Sequence, residues 1–182
     1  MKKIIGIISL LLICSLTSNV NAAATNMDPV LKSKTRRATD NGLRFLREQQ
    51  AEDGSWSGSV GITALSLRAF LQSRRHYTEE DGPFITRPIK FLLSHVNEDG
   101  TISESINNRN NNTAVTITAL QATRNPAYDK VIKNAQKFLK GLQLDEKEGY
   151  APEHKYYGGI GYGGDECPDL SNAYLAVEAL QA

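Results

Sequence analysis

The chain carries the stretch Gly42-Leu-Arg-Phe-Leu-Arg-Glu-Gln-Gln-Ala-Glu-Asp-Gly-Ser-Trp56 and repeats parts of it twice. The segments Pro88-Ile-Lys-Phe-Leu92 and Ala135-Gln-Lys-Phe-Leu139 match its beginning, and their phenylalanines follow at intervals of 46 and 47 residues. An Asp-Gly pair follows the first two copies, at positions 53–54 and 99–100. A fixed period of this length is the signature of a protein built from stacked supersecondary units.

Both halves of each repeat have a helical period. One face of the first helix collects the residues Ala38, Gly42, Phe45, Leu46 and Gln49. An Ala- and Thr-rich stretch with few charges follows each turn, over residues 62–71, 114–122 and 171–182, and the last two end in Ala-Leu-Gln-Ala. No run of alternating apolar and polar residues is long enough to predict a strand. We therefore predict an all-α chain in which a charged outer helix, a Gly-containing turn and an inner helix form each repeat.

Local signals refine these helices. We expect the repeated phenylalanines, Phe45 among them, in the core of the repeats. Pro88 suits a first helical turn, where a missing N–H has little effect. Asp169 or Ser171 can cap the last helix, and the Asn-rich stretch over residues 107–112 is expected as a loop.

The first 22 residues have the pattern of a secretory signal peptide. A basic pair at positions 2–3 precedes an apolar run over residues 4–16, and small and polar residues lead to Ala22. The run is shorter than the ~20 residues that a membrane span needs, so we expect cleavage after Ala22 and export to the periplasm or the extracellular space. Lipoprotein anchoring at Cys14 is disfavoured, because Ile13 is bulky where a small residue is expected.

The composition is that of an ordinary globular protein. Of the 182 residues, 40% are hydrophobic and 23% charged, and the net charge of +1 becomes about −1 once the two lysines of the leader are removed. Nucleic-acid-binding domains usually carry a basic excess, so we expect no nucleic acid as a partner. No second apolar segment suggests a membrane span, and the mature chain keeps one cysteine, Cys167, which excludes an intramolecular disulfide.

The pattern Phe45-Leu-x-x-x-Gln-x-x-x-Gly-x-Trp56 resembles the QW repeat of the superfamily of squalene–hopene cyclase, oxidosqualene cyclase and the protein prenyltransferase β-subunit. The second copy has Val96 and Ile102 at the Gln and Trp positions. The resemblance covers residues 35–182, after the signal peptide (1–22) and an N-terminal linker (23–34). The loop before the last helix is typical of bacterial proteins with prenyltransferase and squalene oxidase repeats.

This resemblance implies an α/α toroid with an outer and an inner ring of helices around a central cavity. It also implies a structural role for Phe45, Gln50, Gly54 and Trp56. A closed ring of that superfamily has about six helix pairs, whereas this chain accommodates about three, and an open array leaves an apolar face uncovered. We therefore expect a half-ring of helical hairpins, either truncated at its C-terminus or completed by a partner or by self-association.

The catalytic motifs of the superfamily are not found in this chain. Protonating terpene cyclases carry an Asp-x-Asp-Asp run, and Pro168 interrupts the nearest acidic cluster. Prenyltransferases hold zinc with Asp, Cys and His, for which only Asp165, Cys167 and His154 are weak candidates. We expect no metal and no cofactor, and whether the chain is an enzyme stays open.

A Gly-rich loop over residues 158–164 leads into the last inner helix, whose N-terminus favours an anionic or polar ligand. No strand precedes it and no Gly-Lys-Ser/Thr follows, so a nucleotide loop is not predicted. If the chain has a site on this rim, its residues are Tyr157, Tyr162, Asp165 and Asp169; the alternative is a well-packed tyrosine-rich turn.

These patterns together predict an exported binding or scaffold module that takes an apolar, isoprenoid-like ligand or a protein in its concave face. The alternative is a terpene cyclase or prenyltransferase-type enzyme whose catalytic half lies beyond residue 182.

Overall fold

The computed structural model describes residues 28–163 and 167–182, which form six α-helices and no β-strand. The helices are α1 (Pro29–Glu48), α2 (Val60–Leu71), α3 (Pro83–Ser94), α4 (Arg109–Ala122), α5 (Asp129–Lys140) and α6 (Leu170–Leu180). Single 3-10 turns over 79–81, 106–108, 126–128 and 146–148 lie between them. The predicted all-α class is confirmed. None of the described helices combines the length and the apolar character that crossing a membrane requires.

The chain divides into two units, with the boundary between Asp40 and Asn41. The described part of the first unit is the beginning of α1, where the carboxylate of Asp28 accepts a hydrogen bond from the amide of Val30 at 2.7 Å. This helix begins at Pro29, inside the segment expected as a linker. The signal-peptide prediction and the anchoring position at residue 14 lie outside the described residues.

In the second unit, the helices predicted as inner ones lie side by side. Helix α2 packs against α4, and α4 packs against α6. Helix α3 packs on α2, and α5 packs on α4 and, less extensively, on α6. Each of these outer helices therefore lies on the inner helix that precedes it in the chain. Helix α4 is enclosed by its neighbours and is buried without interruption from Asn112 to Leu120.

The turn between outer and inner helix has the same backbone in the first two repeats. The amides of Gly54 and Gly100 donate to the carbonyl three residues earlier, at 2.9 and 3.0 Å. The carboxylates of Asp53 and Asp99 accept from the amide two residues later, at 2.9 and 3.0 Å. The glycines have φ angles of +90° and +89°, which other L-residues adopt only with strain.

These glycines also bring each turn into contact with the next outer helix. A Cβ atom on Gly54 would lie 2.4 Å from Cβ of Arg87 in α3, and one on Gly100 would lie 2.7 Å from the carbonyl oxygen of Asn134 in α5. A side chain at either position would therefore push two repeats apart.

The expectation that Phe45 lies in the core is wrong, because its side chain is 60% exposed. The buried residue of α1 is Leu43, whereas Phe91 and Phe138 are half-buried. The ring of Phe138 lies 5.0 Å from the guanidinium of Arg109, at the start of α4 in the preceding repeat. This phenylalanine thus contacts the preceding repeat, and the described residues provide no such repeat for Phe45.

Two local predictions are also corrected. Pro88 lies inside α3, and Pro83 occupies the first turn instead. Of the Asn-rich stretch, residues 107–108 belong to a 3-10 turn and residues 110–112 to α4, so it is not a loop. In both cases packing against neighbouring helices outweighs the local preference. Asp169 and Ser171 are both candidates to cap the last helix; the cap is Asp169, whose side chain accepts from the amide of Asn172.

Candidate functional site

The side chains of Gln50 and Trp56 join helix ends to the turn between them. The amide of Gln50 donates to the carbonyls of Gly54 at 3.0 Å and Phe84 at 3.1 Å, so it links the turn to α3. The indole N–H of Trp56, which is 4% exposed, donates to the carbonyl of Leu46 at 2.7 Å. Helix ends leave such carbonyls without partners inside the helix. Both side chains therefore act on backbone groups.

The bond from Gln50 to Phe84 has a specific cause. In an α-helix the carbonyl of Phe84 would accept from the backbone amide of residue 88, but Pro88 has no N–H. The side chain of Gln50 supplies the missing donor. Gln50 and Pro88 thus form a matched pair between two repeats.

The residues predicted on the rim have separate local roles. The carboxylate of Asp169 accepts from Ser171 and from the side chain and backbone N–H groups of Asn172, and these bonds lower its pKa to about 2. The hydroxyl of Tyr157 donates to Glu146 at 3.0 Å, which raises the pKa of this tyrosine. Tyr162 is 42% exposed, and its carbonyl accepts from the amide of Asn110 at 3.0 Å. Asp165 lies outside the described residues.

Of the weak metal candidates, His154 and Cys167 belong to the described part of the chain, whereas Asp165 lies outside it. His154 lies between the rings of Tyr150 and Tyr156, at 4.9 and 5.5 Å, and its Nδ1 accepts from the amide of Tyr156. Cys167 is exposed. Over residues 28–163 and 167–182, no three His, Cys, Asp or Glu side chains could hold a metal ion.

A buried polar chain, which sequence reasoning missed, connects α4 to the start of α6. The Nδ2 group of Asn110 donates to the carbonyl of Gly161 at 2.6 Å and to Oδ1 of Asn172 at 3.3 Å. Asn172 in turn donates to Asp169. The Oδ1 atom of Asn110 is buried and has no hydrogen-bond partner among the described residues. This network fixes the Gly-rich loop against two inner helices.

A second polar row, also missed, crosses the inner layer. Arg68 of α2 donates to the hydroxyl of Thr118 in α4 at 3.3 Å and to both carboxylate oxygens of Glu178 in α6. The Nε–H of Arg68 donates to Gln72 at 2.9 Å. The ion pair raises the pKa of Arg68 and lowers that of Glu178. The two side chains are 22% and 27% exposed, so a molecule in solvent can reach them.

A groove of about 490 Å³ lies between the turn at Gly100 and helix α5. Its lining mixes the acidic residues Glu98 and Asp99 with Lys137 and Phe138. Asp99 also forms an ion pair with Arg109. Charges of both signs therefore lie close together in this groove.

The signal for the polar row was present in the sequence. The shared Ala-Leu-Gln-Ala ending aligns α4 with α6 at a spacing of 60 residues, which makes Thr118 and Glu178 equivalent. Nothing in the residue types alone indicates that Arg68 reaches both. Comparisons with protein-family models, with curated proteins and with solved structures found no match for this chain.

Proposed function

We propose that this chain is an exported repeat protein of the squalene cyclase and prenyltransferase repeat superfamily, and that it binds an apolar or protein ligand on the concave side of its inner layer. The all-α class and the two matching turns at Gly54 and Gly100 support the family assignment. The leader pattern of residues 1–22 supports export. For the two layers of helices we propose the α/α arrangement of that superfamily, as a half-ring.

The contact of Arg68 with Glu178 carries the proposal of a concave face. Helices that pack side by side lie about 8–10 Å apart, so α2 and α6 on either side of α4 would be about 16–20 Å apart in a flat layer. Arg68 nevertheless reaches Glu178 with two hydrogen bonds and touches Thr118 of α4 on the way. A layer that bends toward this side accounts for the contact.

The surroundings of the ion pair suit a ligand with an apolar body and a polar group. One turn before Arg68 and Glu178 lie Leu65 and Tyr174, which are 51% and 65% exposed. Tyr174 is close enough to Arg68 to affect its pKa. Contiguous exposed apolar surface marks binding sites, and we propose that Leu65 and Tyr174 contribute to one such surface. The ligand would lie on Leu65 and Tyr174 and reach the ion pair with its polar group.

Native mass spectrometry of the purified full-length chain tests this proposal. We expect a retained apolar molecule or protein, and we expect the variant Arg68→Met to reduce its retention at least ~tenfold, as at other binding hot spots. The matched control is Lys90→Met, which removes an exposed charge from outer helix α3. Equal retention by the two variants would contradict the proposal, and turnover of an isoprenoid substrate would favour the enzyme alternative.

A further inference from the structure

The way in which outer and inner helices pack in the second unit leaves one surface without a partner helix at each of its ends. Helix α3 packs on α2, and α5 packs on α4, so each outer helix lies on the preceding inner helix. Within the described residues, no outer helix follows α6 and no inner helix precedes α1. These two helices therefore carry complementary surfaces that the described residues do not bring together.

Hydrogen bonds establish which positions of the inner helices are equivalent. The hydroxyls of Thr63 and Thr113 each accept from the backbone amide of the turn residue, Trp56 or Ile102, at 3.0 Å. This places α4 at a spacing of 50 residues from α2. The row formed by Arg68, Thr118 and Glu178 continues this register into α6 at a further 60 residues. Burial can therefore be compared position by position.

Helix α6 exposes apolar side chains at positions that are buried in the other inner helices. Leu170 is 87% exposed and Val177 is 51% exposed. Their counterparts in α2 and α4 are all 0% exposed, namely Val60, Leu67, Asn110 and Ile117. In those two helices the following repeat covers these positions. We name Leu170 and Val177, together with Gly158 in the preceding turn, the downstream face.

The other end shows the opposite pattern. Phe45 of α1 is 60% exposed, whereas its counterparts in α3 and α5 are half-buried. Ile62 of α2 is 48% exposed, whereas Asn112 and Asn172 at the same position are 4% and 0% exposed because a preceding inner helix covers them. We name Gly42, Phe45 and Ile62 the upstream face.

Two glycines show how the faces fit. The turn glycines Gly54 and Gly100 touch the next outer helix at the peptides 87–88 and 134–135, three to four residues before the repeated phenylalanine. Gly158 also has a positive φ, +78°, but meets no following helix in the described structure. The equivalent peptide of α1 is 41–42, and a Cβ on Gly42 would meet nothing within 4 Å. The turn glycine and the helix position that it contacts elsewhere are both open.

We propose that two copies of this chain associate, with the upstream face of one copy packed on the downstream face of the other. Helix α1 of one copy would lie on α6 of the other, with Gly42 next to Gly158 and with Phe45 and Ile62 against Leu170 and Val177. The contact continues the interface that the chain already forms between its own repeats. Because the two faces differ, association is heterologous and proceeds head to tail, either to a closed ring or to an open array. This inference is independent of the ligand, since neither face includes Arg68 or Glu178.

Sedimentation velocity of the purified full-length chain, from about 1 to about 100 μM, tests the proposal. We expect a concentration-dependent oligomer that Gly42→Glu and Val177→Glu each weaken at least ~tenfold. Neither variant endangers folding, because both positions are exposed in helices and Glu is a better helix former than Gly. The matched control is Ile106→Glu, at a position that is 70% exposed but belongs to neither face.

A mixture of the two variants provides the decisive measurement. Gly42→Glu keeps an intact downstream face, and Val177→Glu keeps an intact upstream face. An equimolar mixture should therefore form a complex of two chains that neither variant forms alone. A chain that stays monomeric over the whole range, or a mixture that does not associate, would overturn the proposal, and so would an oligomer that tolerates both variants. A monomer would leave the ligand proposal untouched.

Discussion

The pairing of Gln50 with Pro88 makes a quantitative prediction about stability. Gln50→Ala removes the two hydrogen bonds to the carbonyls of Gly54 and Phe84. A net hydrogen bond contributes about 1 kcal/mol, and a partly buried carbonyl left without a donor adds to the loss. We therefore expect the free energy of unfolding to fall by about 2–3 kcal/mol. For a chain of this size, that corresponds to a decrease in Tm of about 5–10 °C.

A double-mutant cycle with Pro88→Ala separates the two bonds. Alanine restores a backbone N–H that can donate to the carbonyl of Phe84, so this carbonyl no longer depends on Gln50. In the Pro88→Ala background, Gln50→Ala should therefore cost about 1 kcal/mol less than in the natural chain. Urea unfolding followed by the fluorescence of Trp56, the single tryptophan of the chain, measures all four variants.

The matched control is Gln49→Ala, which removes the same side chain from an exposed position one residue earlier. It should change stability by no more than about 0.5 kcal/mol. If the effects of Gln50→Ala and Pro88→Ala add within about 0.5 kcal/mol, the two residues are independent and the reasoning is refuted.

Two further predictions concern the turns and the last helix. Gly54→Ala should lower the free energy of unfolding by at least about 2 kcal/mol more than Gly58→Ala. Both glycines have a positive φ, but only at Gly54 would an added Cβ atom lie 2.4 Å from an atom of a neighbouring helix, Cβ of Arg87. Equal losses in urea unfolding would show that contact with α3 is unimportant. The pKa of Asp169 lies at about 2, below the ordinary 3.8, so its stabilising contribution is complete above about pH 4 and is lost as the pH falls towards 2. Asp169→Asn keeps a capping side chain that does not titrate. The difference in the free energy of unfolding between the natural chain and this variant should therefore shrink from pH 4 to pH 2. A constant difference would contradict the lowered pKa of Asp169.

Features that depend on neighbours in the sequence could be predicted from it. The helical period, the Asp-Gly turns and the Asp169 cap each involve residues within about one helical turn of one another. The side-chain oxygen of Asp169 accepts from an amide three residues later, as the residue type suggests. The fold class follows from such local patterns, because no stretch of the chain favours a strand.

Features that depend on which repeat follows which could not be predicted in this way. The position of Phe45 on a helical face was predicted, but its burial depends on a preceding repeat that the described residues do not include. The contact between Arg68 and Glu178 joins residues 110 positions apart and depends on the register of three helices. Until that register is known, the sequence is equally consistent with a charged residue of an inner helix lying on the surface and with it bonding to another helix.

The second repeat shows why the turn survives without the Gln and Trp of the first. The side chains of Val96 and Ile102 cannot donate hydrogen bonds, yet the backbone of the turn is unchanged. The position of Pro88 is taken by Ala135 in α5, which has its own N–H, so no side chain has to replace a helical hydrogen bond there. The neighbouring Asn97 donates instead to the hydroxyl of Thr101 at 3.0 Å. The part that the first two repeats share is thus the Asp-Gly turn, and the Gln of the first repeat is needed because the following outer helix contains Pro88.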